Sequence, residues 1–419
     1  MIKILNYKSK KDSKNLLKFL NERRDGNSIN TSVVDKILRD IKKNKIKAVL
    51  KYEKKFDNNK NLYPTKRQIK NSIKSLDIKV KKAIDLAYSR IFKFHSLQKS
   101  KNIKYFDKYK NKIEYVNIPI NSVGIYVPAN LPSTLLMNAI PSKICGVKNI
   151  ILANPKLNGK LNPAVMYAAQ KCGIDKIVNV GGAQAIGALA YVYRVDKIVG
   201  PGGDYVAYAK RRVFGEVGIE GMIAGPSEVT VIADKNSNIN QIATSLAAQS
   251  EHGPNSQSIL VTSDKEVITK TKYELNKLIN KLPRKNIIVK SLKKNGLIIF
   301  TKNKSQMVDV VNIISPEHLE IITKDYKFFN GKIYNAGSIG LGKYSPVAAS
   351  DYNVGTNHTL GTLGSSKFSS GLNLSDFYKK ISQFTLSKKG IEVIGKQAIT
   401  LAEYENLHAH ALSIKSRFL

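Results

Sequence analysis

Apolar positions along the chain follow two periods, and the change from one to the other predicts the architecture. Between Ser32 and Phe56, residues Val33, Val34, Ile37, Leu38, Ile41, Val49 and Leu50 recur at helical spacing, and Val80, Ile84, Ala87, Ile91 and Phe94 repeat the pattern. The amino-terminal quarter is therefore expected to be helical. Beyond it, short runs rich in β-branched residues at 147–152, 176–180, 195–199 and 229–233 are separated by helix-length segments. That alternation predicts a parallel sheet covered on both faces. A second series follows, with helices over 239–250, 267–282 and 306–313 and strands over 258–262 and 296–301. From about Ser375 the spacing is helical again. The expected fold is α/β: two incomplete Rossmann-like β/α lobes, an amino-terminal helical region and a small helical carboxy-terminal tail. The expected divisions are an arm over 1–30, a helical part over 31–120 packing with the second lobe, a first lobe over 121–234, a second over 235–374 and the tail over 375–419.

Composition narrows the classes of function. A chain of 419 residues at 42% hydrophobic is large enough for two cores. The formal charge of +38 invites a nucleic-acid or acidic-membrane partner. Its lysines, however, are scattered along the whole chain among abundant Asn and Ile, and arginine, the better fork for phosphate and base contacts, is scarce. Neither nucleic acid nor membrane is expected as the partner. The stretch over 123–147 is broken by Pro128, Pro132 and Pro141, which rules it out as a membrane span. Met1 is followed closely by Lys8, Lys10, Lys11 and Lys14 with no apolar segment of an export signal, so a cytoplasmic location is expected. Cys145 and Cys172, the two cysteines, suggest no disulfide framework.

Three glycine turns at strand boundaries outline a cleft: Gly181-Gly182-Ala183-Gln184, Gly200-Pro201-Gly202-Gly203 and Gly225-Pro226-Ser227. The first exposes amides at a helix amino terminus, where a phosphate could sit, although a tight turn explains it equally well. Only six histidines occur, so their neighbours are informative. Gln249 and His252 are three apart at a helix end stopped by Pro254, one face of which could serve a zinc ion or simply carry a favourable histidine. Glu317 beside His318 joins a carboxylate to an imidazole, a combination suited to proton transfer or, more plainly, a solvated helix start. Adjacent helical residues point in different directions, so the pair would serve two separate steps. Asp351 and His358 flank a loop able to face a cleft, and Glu405, His408 and His410 crowd the terminal helical region. His95 and both cysteines are read as structural.

Together these segments resemble the histidinol dehydrogenase family. The resemblance runs from about Val123 to His410 through Gly124-Ile125-Tyr126-Val127-Pro128, Pro132-Ser133-Thr134, Gly181 to Ile186, Val199-Gly200-Pro201-Gly202, Ala224 to Val229, Gln249 to Pro254, Ser315 to Glu320, and Asp351-Tyr352 leading to Gly355-Thr356-Asn357-His358. Phe94-His95 with Gln98 looks like the family's upstream helix. The resemblance implies an NAD-linked, zinc-dependent, four-electron oxidation of L-histidinol to L-histidine through L-histidinal, in the final steps of histidine biosynthesis. On matching positions, Gln249, His252, Asp351 and His410 would hold one Zn2+ per subunit, and His318 and Glu317 would be the catalytic pair. His318 would take the alcohol proton, and Glu317 would activate the water that attacks the aldehyde. Ser227, His358 and Glu405 would contact substrate together with His318 and the zinc ligands. Tyr126, Gln184 and position 203 would contact NAD. Family resemblance also implies a homodimer in which the tail, with Glu405 and His410, reaches the partner's site.

Two departures fall on the cofactor side. Ala129-Asn130 stands where the family usually has two glycines, and Gly203 where it usually has Asn. They predict weaker NAD binding or a different amino alcohol as substrate. The rival readings are a related zinc and NAD alcohol dehydrogenase acting on another amino or sulfonated alcohol, and a non-catalytic basic binding protein. The presence of Glu405 and His358 speaks against the first, and that of Glu317, His318 and all four candidate zinc ligands against the second.

Overall fold

The computed structural model of the protein describes residues 2–25, 29–220 and 225–418, so Met1 and Ala224 lie outside the described residues. The chain opens with β1 (Lys3–Tyr7) and α1 (Ser13–Asp25), then runs through α2 (Thr31–Asp57), α3 (Lys66–Lys74) and α4 (Ile78–Ser96). Strands β2 (Ile103–Phe106) and β3 (Lys112–Pro119) lead into a first β/α series: β4 (Ser122–Tyr126), α5 (Pro132–Cys145), β5 (Asn149–Ala153), α6 (Pro163–Lys171), β6 (Lys176–Val178), α7 (Gly182–Gly187), β7 (Lys197–Val199), α8 (Asp204–Val213) and β8 (Gly218–Ile219). The second series is β9 (Glu228–Ala233), α9 (Ile239–Ser250), β10 (Gln257–Thr262), α10 (Lys265–Ile279), α11 (Lys285–Asn295), β11 (Leu297–Thr301), α12 (Lys304–Ile314), β12 (His318–Ile321), β13 (Ser338–Leu341) and α13 (Val347–Ser350). The tail adds β14 (Tyr378–Thr385), α14 (Lys388–Tyr404) and α15 (His408–Lys415).

Two parallel sheets carry the molecule, in the orders β6-β5-β4-β7-β8 and β1-β11-β10-β9-β12-β13. In each the connections reverse direction beside a central strand, between β4 and β7 and between β9 and β12, the arrangement of a doubly wound sheet. Strands β4, β9, β10 and β12 are buried at every position, as strands covered on both faces must be. Alternate residues feed opposite cores. Ile150 and Leu152 of β5 meet α4, α5 and α6 through Ile91, Leu135 and Met166, whereas Ile151 and Ala153 meet α2 and α7 through Ile37, Ile41 and Ile186. Each fully buried Leu or Ile of this kind contributes roughly 1.5–3 kcal/mol. Side-chain caps set the helix starts, with Asn162, Asn238 and Asp264 each accepting from two backbone amides of the helix that follows.

The structure departs from the sequence-based expectation in four places. The helical region packs on the first sheet, not the second: the apolar stripes of α2 and α4 cover its two faces, which its short crossover helices alone leave open. Strand β9, expected to close the first lobe, pairs in register with β10 and β12 at the centre of the second sheet. The described part of the amino-terminal arm is structured. Strand β1 extends the second sheet beside β11, and Leu16 of α1 enters the core below it with Met307 and Val310 of α12. The tail begins as a strand, because residues 378–385 pair antiparallel with β3 along eight positions before the helical spacing takes over at α14.

Gly200 follows β7 at the first switch point with φ of +110°, and a Cβ there would overlap the Tyr126 carbonyl oxygen. Both the left-handed backbone and the close approach require glycine. Gly200→Ala is expected to cost at least about 2 kcal/mol, read as a lower urea midpoint with unchanged slope. An unaltered midpoint would show that the turn relaxes freely.

Candidate active site

The second sheet presents Glu228, Glu317 and His318 at the amino ends of β9 and β12. Ser315 adopts a left-handed conformation (φ 52°) that ends α12, and Pro316, with no N–H to continue the helix ladder, follows it, so the chain enters β12 at His318. The Glu317-His318 pair therefore opens a buried strand, not a solvated helix, and only 6% and 4% of these residues is exposed. Successive residues of extended chain point to opposite sides, which keeps their side chains distinct while their tips converge. His318 Nε2 lies 3.9 Å from Glu317 Oε1 and 3.7 Å from Asp351 Oδ1. Asp351 caps the short α13, and its carbonyl oxygen sits 2.8 Å from His358 Nδ1. From the other side, α9 ends at Ser250, with Gln249 buried in its last turn and His252 on the exposed turn just beyond.

Burial sets the electrostatics. It pushes His318 down to about 3, helped by the imidazoles of His358 and His252, and it pushes His358 down to about 4. Both imidazoles are neutral, hence proton acceptors, at neutral pH. The same burial raises Glu317 well above the usual carboxylate range, with the neighbouring Glu228 and Asp351 charges adding to it, and raises Asp351 to about 7. A cluster of this kind, with proton affinities pulled apart by environment, can accept and return protons in separate steps.

The residues present also fit a cation. Asp351 is raised by burial alone, Gln249 lies in the last turn at the carbonyl end of α9, and among the described residues Gln249 Nε2 and His318 Nδ1 are buried without a hydrogen-bond partner. Gln249, His252 and Asp351 offer amide oxygen, imidazole nitrogen and carboxylate oxygen, a donor set suited to zinc. Among the described residues no three His, Cys, Asp or Glu side chains form a ready-made metal group. His410 does not join the cluster within the chain. It lies exposed with Glu405 and His408 on the α14–α15 hairpin, whose own small core is Ile399, Ala402 and Ala411.

On the first sheet, the glycine turn that could seat a phosphate is already filled. The Gly181 amide and Gln184 Nε2 both donate to Glu53 Oε1, at 3.0 and 2.8 Å, so this helix amino terminus is capped by the chain's own carboxylate. Gln184 is buried and committed to that contact. Tyr126 is buried beside the same turn, its hydroxyl pushed up to about 12 by burial. Gly203 caps α8 at φ −65°, and a Cβ there meets nothing within 4 Å, so the asparagine usual in the family would fit. Ala129 is half-buried and Asn130 exposed in the turn after β4. Sequence reading gave no role to Glu53, Arg23 or Glu228. Glu53 sits in an ordinary helical stripe, and only the packing of α2 onto the first sheet reveals its target.

Two doubly wound β/α lobes with a buried carboxylate–imidazole cluster at strand ends define an α/β enzyme of acid–base chemistry. Residues 21–418 match the family model described as histidinol dehydrogenase, and the chain belongs to that family of oxidoreductases of histidine biosynthesis. It is 53% identical to the histidinol dehydrogenase of Pelagibacter ubique (strain HTCC1062) over 100% of this chain and 99% of that one. The histidinol dehydrogenase of Prochlorococcus marinus subsp. pastoris is 41% identical, with 94% of each chain covered. The crystal structure of histidinol dehydrogenase from Elizabethkingia anophelis superposes with a TM-score of 0.93 at 35% identity, covering 99% of this chain and 98% of that one.

Burial raises the proton affinity of Glu53, more than the hydrogen bonds from Gly181 and Gln184 lower it. The folded protein therefore holds this proton where the unfolded chain has released it, and stability is lost as pH rises above the ordinary value of 4.5. Glu53→Gln keeps an acceptor for both donors and removes the charge. Its stability relative to the parent should rise between about pH 4 and pH 8 in urea titrations. A difference that does not change with pH would show that Glu53 is not strained by burial.

Proposed function

We propose that this protein oxidises L-histidinol to L-histidine through L-histidinal, with two NAD molecules reduced in turn and one zinc ion per subunit. The observation that carries the reading is the approach of Glu317 (3.9 Å) and Asp351 (3.7 Å) to His318 at the start of β12, in a chain of this family. Neutral His318 takes the alcohol proton while the carbinol hydrogen leaves as hydride. Glu317, made more basic by burial than a solvated carboxylate, removes a proton from the water that adds to the aldehyde. Gln249, His252 and Asp351 would hold the zinc, which when bound supplies a positive charge that orients the substrate's amino and imidazole nitrogens. NAD supplies the hydride acceptor, with Tyr126, Gln184 and position 203 as its proposed contacts. Because Gln184 and the Gly181 amide already serve Glu53, cofactor binding there involves rearranging that contact. Ser227 and His358 are proposed to contact substrate.

The fourth zinc ligand, His410, and the substrate contact Glu405 are assigned to the partner subunit of a homodimer. Their exposure in the single chain supports this, as does the bare apolar surface around them, where Leu401 and Leu412 are 62% and 64% exposed. Among the described residues no helix is long and apolar enough to cross a membrane, in keeping with the cytoplasmic location we propose. The five-part division of the chain is retained as a proposal, with the boundary between the lobes moved ahead of β9.

About two NADH per L-histidinol are expected, abolished by chelation and restored by zinc. No NADH from a folded, zinc-loaded sample would turn attention to another amino alcohol, the reading favoured by Gly203 and Ala129-Asn130. Subunit exchange tests the tail. Mixing inactive His318→Asn with inactive His410→Asn should recover roughly a quarter of the parent activity, since one site in each mixed dimer is then intact. No recovery after verified exchange would place His410 in its own chain's site.

A further inference from the structure

One buried constellation next to the catalytic pair has no part in the chemistry just described. Arg23, near the end of α1, is 7% exposed, and Glu228, at the start of β9, is 3% exposed. The Arg23 guanidinium spreads over three acceptors: Nη1 donates to Glu228 Oε1, Nη2 to the Pro226 carbonyl, and Nε to the Asn255 carbonyl. Pro226 and Asn255 belong to the turns that carry Ser227 and His252. One side chain from the amino-terminal helix thus ties both turns to the head of β9.

Glu228 in turn grips Glu317. Its amide donates to Glu317 Oε2 at 2.7 Å, and its Oε2 accepts from the Glu317 amide at 3.3 Å. Its Oε1 also accepts from the Leu363 amide at 2.9 Å. This reciprocal pair locks Oε2 of Glu317 onto backbone and leaves Oε1 as the oxygen facing His318. Three donors on the two oxygens of Glu228 call for an ionised carboxylate, because a glutamine offers a single acceptor oxygen. An ionised, buried Glu228 in turn needs the Arg23 charge beside it.

We infer that Arg23 and Glu228 form a positioning pair that aims Glu317 Oε1 at the aldehyde-hydrating water, so that the amino-terminal helix is part of the active-site architecture. The inference rests on the proposed reading of Glu317 and His318. Because His318 serves the alcohol step and Glu317 the aldehyde step, a displaced Glu317 slows the second oxidation selectively.

The test measures both steps on the full-length, zinc-loaded protein, following NADH from L-histidinol, NADH from L-histidinal, and free aldehyde captured by a carbonyl trap. In Glu228→Gln the aldehyde step should fall about tenfold or more, with the alcohol step and KM for L-histidinol within about threefold and more aldehyde escaping to the trap. Arg23→Lys keeps the charge but loses the fork and should shift the ratio of the two steps the same way, by less. Should Glu228→Gln fail to fold, the double variant Arg23→Met with Glu228→Gln removes both charges together and should show the same selective loss. Equal loss in both steps, or an unchanged ratio in every folded variant, overturns the positioning role. A parent protein inactive on L-histidinol overturns the reading of the site and this inference with it, whereas an active parent with unchanged variants overturns the pair alone.

Discussion

Taking carboxylates and imidazoles out of water at the heads of β9 and β12 is the constraint on which the rest of this structure depends. An isolated buried charge costs several kcal/mol, so each group must be neutral, paired or held for a cation. His318 and His358 meet the demand by staying neutral, Glu228 by pairing with Arg23, and Glu317 by taking a backbone amide on one oxygen. Asp351 meets it with a proton affinity raised by burial, beside the neutral imidazole of His318. Both strands are covered on both faces, so solvent cannot relax these demands.

The same constraint explains the division of labour between the lobes. In the second sheet the polar groups gather at the amino ends of the strands, where a helix carboxyl terminus and two tight turns converge. In the first sheet the close backbone approach is at the carboxyl ends, where Gly200 lies against Tyr126 and Glu53 fills the Gly181 turn. The Glu53 carboxyl group thus occupies the helix amino terminus that could otherwise seat a phosphate.

Much was legible in advance because it is local. Helical stripes such as Ile37, Leu38 and Ile41, the exact extent of α9, the β-branched runs and the glycine turns follow from side-chain shape and backbone freedom over a few residues. The Glu317-His318 pair was visible as chemistry, although not as a strand, since propensity does not see that Ser315 and Pro316 end α12 just before it. Strand β1 and the pairing of β14 with β3 escaped because strands are stabilised by partners far away in the chain.

What the sequence by itself determined is the alternation of β and α elements, the inventory of ionisable residues and the family to which their order belongs. Only the tertiary structure decided which sheet each outlying element joins, which oxygen of Glu317 is free, and that Arg23 and Glu53 lie against residues more than a hundred positions away. The physical reason is that burial and hydrogen-bond satisfaction are properties of the packed chain. A carboxylate's proton affinity and aim are set by the groups that surround it, and those are brought together by the sheets and not by the order of residues.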